Sequence, residues 1–330
     1  MRTLILGATG FAGSHITQRF LHEGHEVRAL VRPERRDTEA FRALPKDVVV
    51  KDGAIGDPNQ IAEAAEGCDV IVISVSLPEG SPDEAYRWLH IAGTENVIAA
   101  ARDRNVPRVV LISCGEVVLA DEERVHWNEK REVAGKPLGA RAQALKLGEE
   151  IALSASDALV AVTALRPGWL WGPGDRGRAP KLIEEARKHG GIDLCGDGKN
   201  LVATTYVEHL AEATLLAARV PAAAGQAFYI GDPEFLEMGE FLGMFSKALG
   251  LPAPRATARW LKRAMSKLGQ GELSAEEIVR RARGTHFDTE KAAQVLGFAP
   301  QIPIDEGMKR MKAWFEHEER PVRGAAGAAP

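Results

Sequence analysis

Short apolar runs alternate with longer stretches of helical periodicity through the first half of the chain. The apolar runs predict strands at residues 3–6, 26–31, 48–51, 68–75, 109–113 and 159–165. The helical stretches between them lie around residues 58–66, 83–104 and 138–156. Continuous Val- and Ile-rich strands separated by helices are typical of a parallel sheet covered on both faces. We therefore expect an α/β fold built on a doubly wound parallel sheet.

The pattern changes near residue 167, where Gly and Pro accumulate and the predicted strands become short. Helical periodicity dominates after Glu234. We expect a first domain at residues 1–166 and a smaller, helix-rich cap at residues 167–316, and we leave open whether some cap elements return to the first domain. Residues 320–330 are rich in Gly, Ala and Pro, and we expect residues 317–330 to form a flexible tail.

Composition is compatible with an ordinary enzyme of 330 residues. A net charge of −4 gives no general reason to expect nucleic-acid binding. The three cysteines, Cys68, Cys114 and Cys195, lie far apart without metal-ligand spacing, which favours reduced thiols in the cytoplasm and no metal site. Apolar runs are shorter than a membrane span, and the first strand begins at once without a leader pattern. We therefore expect a cytoplasmic protein without stable membrane insertion.

A glycine-rich turn joins the first predicted strand to the first predicted helix. In the run Gly7-Ala8-Thr9-Gly10-Phe11-Ala12-Gly13, Gly7 permits a tight turn, Gly10 lets the backbone approach a pyrophosphate, and Gly13 lets the helix pack on the strand. Phosphates favour such a helix N-terminus because its N–H groups are free. The turn predicts a dinucleotide site with contacts from Gly7, Thr9, Gly10, Phe11, Ala12 and Gly13.

The second predicted strand favours NADP over NAD. Its last residue is Val31, which cannot bind a ribose 2′-hydroxyl as an Asp or Glu would. Arg32 follows, and a guanidinium at this turn can bind a 2′-phosphate. Arg35 and Arg36 have a weaker claim to that role. The alternative is that the three arginines form a solvated basic loop.

Other cofactor contacts are expected past the carboxyl ends of neighbouring strands, where ligands of such sheets bind. Asp52 and Gly53 follow the third strand, where Asp52 would lie beside the adenine. Ser74 and Val75 end the fourth strand. Asp52 fits equally well with a simple loop carboxylate.

Ordered motifs follow one another along the chain: the glycine turn and the segments at residues 93–97, 166–175, 206–209 and 287–298. Over residues 1–316 they resemble the extended short-chain dehydrogenase/reductases, with the character of the NAD(P)-dependent epimerase/dehydratase and 3β-hydroxysteroid dehydrogenase branch. The resemblance implies a Rossmann-like domain, a nicotinamide cofactor, and an oxidoreductase or epimerase acting on a hydroxyl or ketone of a lipid-like or sugar-nucleotide substrate. It also implies a homodimer formed through the helices at 83–104 and 138–156.

The resemblance implies a catalytic Ser or Thr after the fifth strand and a Tyr four residues before a Lys. Lys146 matches the Lys, which also holds the nicotinamide ribose in that family, but Ala142 stands four residues earlier. Ser113 or Cys114 takes the hydroxyl position. A non-standard proton relay is therefore expected. Candidate replacements are Glu116, Asp121, His126, Lys130, Arg141, Gln143 and a water held by Ser113.

The start of the cap carries further candidates. By resemblance, Pro167, Gly168 and Trp169 border the nicotinamide carboxamide. Trp169 and Trp171 either line an apolar substrate pocket or pack under the cap. Arg176 and Arg178 would suit a phosphorylated substrate but equally fit surface charge.

Residues 259–268 form a short basic amphipathic pattern. Such a helix would make weak peripheral contact with an anionic membrane, close over a hydrophobic substrate, or simply pack on its neighbours in the cap, which is the interpretation we favour. The absence of the tyrosine leaves two functions open: an NADP-dependent enzyme with an altered relay, and a non-catalytic NADP-binding sensor or scaffold.

Overall fold

A computed structural model describes residues 1–131, 135–267 and 272–326; for residues 263, 265, 267 and 318–326 it describes the backbone alone. Its central feature is a seven-stranded sheet in which every neighbouring pair is parallel. The strands are β1 (Arg2–Leu6), β2 (Glu26–Val31), β3 (Val49–Asp52), β4 (Val70–Ile73), β5 (Arg108–Ile112), β7 (Ala161–Pro167) and β11 (Gln226–Ile230).

The sheet runs in the order β11-β7-β5-β4-β1-β2-β3. All six predicted strands belong to it, and the doubly wound α/β fold is confirmed. β4 is shorter than the predicted run of residues 68–75, because Cys68 and Asp69 belong to the turn that enters the strand. The strand order reverses between β1 and β4, which leaves a crevice at their carboxyl ends.

Helices cover both faces of this sheet. The first half of the chain supplies α1 (Phe11–His22), α2 (Glu39–Arg42), α3 (Pro58–Ala65), α4 (Asp83–Arg87), α5 (Gly93–Asp103) and α6 (Ala140–Ser154). One core layer lies between the sheet and α1, and includes the fully buried Ile16 and Phe20. The opposite layer joins α3 and α5 to the sheet through residues such as Ile61 and Val97. Burial of these side chains is the main stabilising contribution.

The helix predicted at 83–104 is interrupted. α4 and α5 are joined by a wider, π-helical turn at Trp88–Ala92. π-helical turns of this kind often occur at functional sites. This one buries Leu89 and His90.

The second half of the chain supplies α7 (Arg178–His189), α8 (Val207–Arg219), α9 (Met238–Ala248), α10 (Arg259–Lys267), α11 (Ala275–Ala282) and α12 (Ile304–Ala326). Two small sheets accompany them. β8 (Trp169–Trp171) pairs with β10 (Thr204–Tyr206), and the second sheet runs in the order β12-β9-β13-β6, with β6 (Arg124–Trp127), β9 (Leu201–Val202), β12 (Leu236–Glu237) and β13 (Thr285–Phe287).

The chain crosses the boundary expected at residue 166 in both directions. β11 extends the large sheet beside β7, and α8 packs against α1. In the other direction β6 leaves the first segment and pairs with β13. α8 and β11 therefore pack with elements of the first segment, although they lie beyond residue 167.

The C-terminal segment is helical through Ala326, although its composition predicts a flexible tail from residue 317. Residues 327–330 lie outside the described residues, so the flexibility of the tail stays a prediction. α10 occupies most of residues 259–268, while residue 268 is not described. Among the described helices, none has the length and apolar content that a membrane crossing needs.

Candidate active site

A cavity of about 1200 Å³ opens at the carboxyl ends of β1 and β4, between the large sheet and the cap. We call it the large cavity. It brings together most of the residues predicted to bind the cofactor: Gly7, Thr9, Gly10, Phe11, Ala12, Arg32, Gly53, Ser74, Val75, Pro167, Gly168 and Trp169. Gly13, Asp52 and Lys146 do not line it.

The glycine turn is shaped by close backbone contacts. Gly7 has a φ of +91°, and a Cβ there would lie 2.2 Å from the carbonyl oxygen of Ser74. A Cβ at Gly13 would lie 2.0 Å from the carbonyl oxygen of Gly7. Gly13 lies where α1 packs on the turn, and, although it is predicted as a cofactor contact, it does not line the cavity.

The first turn of α1 fits a pyrophosphate. Gly10 precedes the helix, and no side chain among the described residues caps it. The first turn contains no acidic side chain. Its free N–H groups and the positive end of the helix dipole therefore face a cavity wall of glycine and small residues, which suits an anion.

Guanidinium groups line the cavity where β2 ends. Val31, Arg32 and Arg35 contribute to the wall there. The Arg32 side chain is 52% exposed, and its ion pair with Glu34, at 3.4 Å, is also exposed, so a ligand can compete for its charge. Asp52 instead accepts a hydrogen bond of 2.8 Å from Arg36 and does not line the cavity. This geometry fits the loop-carboxylate alternative for Asp52.

Ser113 and Cys114 both line the cavity past the end of β5. The Ser113 side chain is buried, and within the described part of the chain its Oγ has no hydrogen-bond partner. Burial raises the pKa of the Cys114 thiol, so the thiol stays protonated at neutral pH. Of the two, Ser113 carries the unsatisfied hydroxyl.

The face that α6 turns toward the cavity differs from the expected one. Arg141 and Leu145 line the large cavity, whereas Ala142 and Lys146 do not. Residues four apart share a helix face, and a shift of one residue rotates a side chain by about 100°. The Lys146 ammonium forms an ion pair with Glu150 one turn further along the helix. Lys146, predicted as a catalytic and ribose-binding residue, therefore does not line the large cavity in this structure.

Two contacts hold α6 in this orientation. A Cβ at Gly148 would lie 2.0 Å from the carbonyl oxygen of His90, so the helix packs closely on the π-helical turn. Glu149 is 2% exposed, and both of its carboxylate oxygens accept hydrogen bonds of 3.0 Å from Arg166 Nε. A buried bidentate pair of this kind resists rotation of the helix.

A group of charged side chains surrounds the cap side of the cavity. Glu116 accepts from Arg141 and lies 3.0 Å from Arg280 of α11 and 3.8 Å from Arg178 of α7. Burial by itself would raise the pKa of Glu116, but these guanidinium groups outweigh burial and lower it to about 2. Glu116 is therefore ionised and cannot donate a proton at neutral pH.

His90 is a cavity residue that the sequence analysis missed. It is buried, and no described group makes a hydrogen bond to its Nε2. Burial, followed by the nearby Arg141 charge, lowers the pKa of His90 to about 4. No motif marks this residue; its place in an apolar helix suggests packing, and only the π-helical turn directs it to the cavity.

The remaining predicted relay candidates lie elsewhere. Asp121 pairs with Arg283 at 3.0 Å, Gln143 donates to the Pro137 carbonyl oxygen at 3.0 Å, and neither His126 nor Lys130 lines the large cavity. Glu116 and Arg141 alone among the named side-chain replacements do so.

The two tryptophans at the start of the cap have separate roles. Trp169 lines the cavity, with the Arg178 guanidinium carbon 4.5 Å from the centre of its ring. Trp171 packs against Tyr206 and donates a hydrogen bond of 2.7 Å to Asp232, outside the cavity. Arg176 also lines the cavity and pairs with Glu39 at 3.1 Å. Within the described residues, no group of His, Cys, Asp and Glu is arranged to hold a metal.

A glycine turn at the switch point of a Rossmann-like sheet, with a cap over the cavity, defines a dinucleotide-binding protein. The chain belongs to the 3-beta hydroxysteroid dehydrogenase/isomerase family, whose sequence profile matches residues 4–261.

Named relatives of this chain are oxidoreductases. A 2-alkyl-3-oxoalkanoate reductase of Stenotrophomonas maltophilia is 32% identical over 95% of this chain and 99% of its own length. The human sterol-4-alpha-carboxylate 3-dehydrogenase, decarboxylating, is 26% identical over 97% of this chain and 89% of its own length.

Solved structures support the fold. An epimerase from Methanothermobacter thermautotrophicus superimposes with a TM-score of 0.80 at 19% identity, over 98% of this chain and 94% of its own. MoeE5, in complex with UDP-glucuronic acid and NAD, gives a TM-score of 0.73 at 23% identity, over 96% of this chain and all of its own.

Proposed function

We propose that the protein is an NADP-dependent oxidoreductase that interconverts a ketone and a hydroxyl group on a lipid-like substrate. The observation that carries the proposal is that one cavity is lined by most of the glycine turn, Arg32, Arg141 and Ser113, whose hydroxyl has no hydrogen-bond partner in the described part of the chain. Apolar side chains including Leu77, Leu119 and Phe287 line the same cavity and suit an alkyl or sterol body.

NADP is favoured by the wall at the end of β2. Arg32 and Arg35 line it, while the first acidic residue after β2, Glu34, does not. A 2′-phosphate gains charge-assisted hydrogen bonds there, whereas a 2′-hydroxyl finds no carboxylate acceptor. The oxidoreductase relatives favour a ketone or hydroxyl as the reacting group.

The chemistry needs a polarised carbonyl oxygen and a source of a proton. When bound, the nicotinamide supplies or accepts the hydride. Ser113 Oγ donates a hydrogen bond to the substrate oxygen, and Arg141 stabilises negative charge that develops on it. Because a guanidinium does not release its proton, the proton reaches the oxygen from water through the Ser113 hydroxyl. This is the altered relay that the missing tyrosine requires.

A second candidate function is a non-catalytic NADP sensor or scaffold. Leu145 favours it, because an aliphatic side chain at the cavity face of α6 can neither bind a ribose hydroxyl nor assist a proton transfer. Such a protein would bind NADPH without turning over any substrate.

The deciding experiment is a titration of the purified protein with NADPH and with NADH, followed by nicotinamide fluorescence. A turnover assay with methyl 3-hydroxydodecanoate, a sterol and UDP-glucose then tests the chemistry. We expect tighter binding of NADPH and oxidation of a lipid-like alcohol. NADPH binding without turnover of any compound supports the sensor; turnover of UDP-glucose alone contradicts the lipid-like substrate; and binding of neither cofactor contradicts both functions.

A further inference from the structure

The charged group beside the large cavity also borders a second cavity of about 740 Å³. The residues that the two cavities share include Glu79, Glu116, Arg141, Arg178 and Arg280. We define the charged wall as three guanidinium groups and three carboxylates, namely Arg141, Arg178, Arg280, Glu79, Glu116 and Glu277.

Two of the three carboxylates, Glu116 and Glu277, are largely buried in this wall and tightly paired with guanidinium groups. The side chains of Glu116 and Glu277 are each 12% exposed. Glu277 accepts from Arg280 and, at 2.7 Å, from Arg281. Burial by itself would raise the pKa of Glu277, but Arg280 and Arg281 lower it to about 2. Removing either carboxylate would leave buried guanidinium groups unpaired, which is costly.

Glu79 is bound differently. It lies in the loop between β4 and α4, and its side chain is 38% exposed. Its carboxylate reaches Arg178 at 3.3 Å, Lys181 at 3.2 Å and Arg280 at 3.6 Å. These separations are longer than those of charge-assisted hydrogen bonds, which are usually below about 3 Å. Glu79 is therefore the carboxylate that can leave the wall at least cost.

Glu79 faces an excess of cations. Its carboxylate lies near Arg178, Lys181 and Arg280, while Glu116 and Glu277 remain paired with guanidinium groups, so departure of Glu79 frees positive charge at this wall. An anionic ligand in that place would pair with the same cations.

We propose that Glu79 holds the place of a substrate carboxylate, and that a 3-hydroxy or 3-oxo acid binds by displacing it and pairing with Arg178 and Arg280. The inference rests on the proposed function and names the substrate class. Arg141 and Arg280 both contact the Glu116 carboxylate, so the groups that polarise the carbonyl and bind the acid are close neighbours.

The short separation of Arg141 and Arg280 limits which carboxylic acids can bind and react at this site. A 3-oxo acid has one carbon between its carbonyl and its carboxylate, which fits two adjacent guanidinium groups. A fatty acid that reacts far from its carboxylate does not. Two relatives are named for carboxylate substrates, a 2-alkyl-3-oxoalkanoate and a sterol-4-alpha-carboxylate.

The test uses the full chain with 3-hydroxydodecanoate and its uncharged methyl ester. NADP-dependent oxidation is followed by NADPH absorbance, and binding to the NADP-loaded protein by calorimetry. We expect the acid to be preferred over the ester by about tenfold or more. Glu79→Gln should tighten acid binding several-fold and leave ester binding unchanged, because a competing carboxylate has been removed. Glu84→Gln, an exposed position on α4 that lines neither cavity, is the matched control.

Arg178→Gln provides the reciprocal measurement and should weaken acid binding by about 30-fold, with little effect on the ester. If Arg178→Gln does not fold, the comparison of acid and ester binding in Glu79→Gln still tests the inference. Equal binding of acid and ester, or an unchanged preference in Glu79→Gln, overturns the inference, even if ester turnover supports the proposed function. Acid binding that responds to Glu79→Gln without any turnover supports the inference and contradicts the proposed function. Binding of neither compound overturns the inference.

Discussion

At the scale of single residues, Arg32 is the residue that we expect to determine the preference for NADPH over NADH. Its guanidinium is half exposed at the edge of the large cavity. We predict that Arg32→Ser weakens NADPH binding by about tenfold or more and leaves NADH binding nearly unchanged, because a 2′-phosphate partner is lost. Fluorescence titration measures both. Arg42→Ser, an exposed arginine outside the cavity, is the control, and an equal loss for both cofactors would refute the phosphate role.

His90 should make the protein less stable in acid. Its pKa is lowered to about 4 by burial and by Arg141, so below pH 6.5 the unfolded chain binds a proton that the folded protein does not. The free energy of unfolding should therefore fall between pH 6.5 and about 4, by up to about 3 kcal/mol from this residue.

Chemical denaturation across that range, for the parent and for His90→Asn, isolates the effect. The variant should lose part of the pH dependence, since Asn does not titrate. His15, His25 and His286 also have lowered pKa values because of burial, and they contribute equally to both curves. Identical slopes in the two proteins would show that His90 titrates normally.

At the scale of elements, α6 tests which side chains serve the cofactor. Leu145 faces the large cavity, while Lys146 pairs with Glu150 away from it. We predict that Leu145→Glu raises the Kd for NADPH by about tenfold or more, because it buries a charge beside the ligand. Lys146→Ala should leave the Kd unchanged, since a partly exposed ion pair contributes little.

The same titration can also contradict this prediction. Strong loss of NADPH binding in Lys146→Ala, with little effect of Leu145→Glu, would restore the lysine to the site and reject the observed helix face. Circular dichroism on both variants controls for loss of the helix.

The sequence predicts the position of helix α6 well, but it does not predict which face of the helix lines the large cavity. Apolar periodicity and the resemblance locate residues 138–156, and the structure has Ala140–Ser154. The face of α6 that lines the large cavity, however, depends on the contact of Gly148 with His90 and on the ion pair of Glu149 with Arg166. Both partners lie outside α6, so the spacing of residues within the helix does not reveal a shift of one position.

At the scale of the whole molecule, the resemblance implies a homodimer through the helices at 83–104 and 138–156. Leu147 on α6 is 40% exposed, which suits such an interface. We predict a dimer by light scattering, and Leu147→Arg should shift it toward the monomer by placing a charge in the contact. Leu159→Arg, also exposed but outside these helices, should not. A parent protein that is monomeric at all concentrations would contradict the prediction.

The seven-stranded sheet and the glycine turn follow from local signals. Strand and helix periods depend on neighbours within a few residues, and the turn between β1 and α1 needs small residues at fixed spacing. Residues 3–75 therefore predict the dinucleotide half of the cavity, including Arg32 and Gly53, without knowledge of the rest of the fold.

The substrate half of the cavity has no such signal. Glu79, Arg141, Arg178 and Arg280 come from four separate elements and meet only because the cap folds over the sheet. Their interaction depends on burial and on distances of a few ångströms, and the chain sequence encodes neither locally. For the same reason the sequence shows that a tyrosine is missing near α6, whereas the folded structure determines which charged groups stand in the cavity instead.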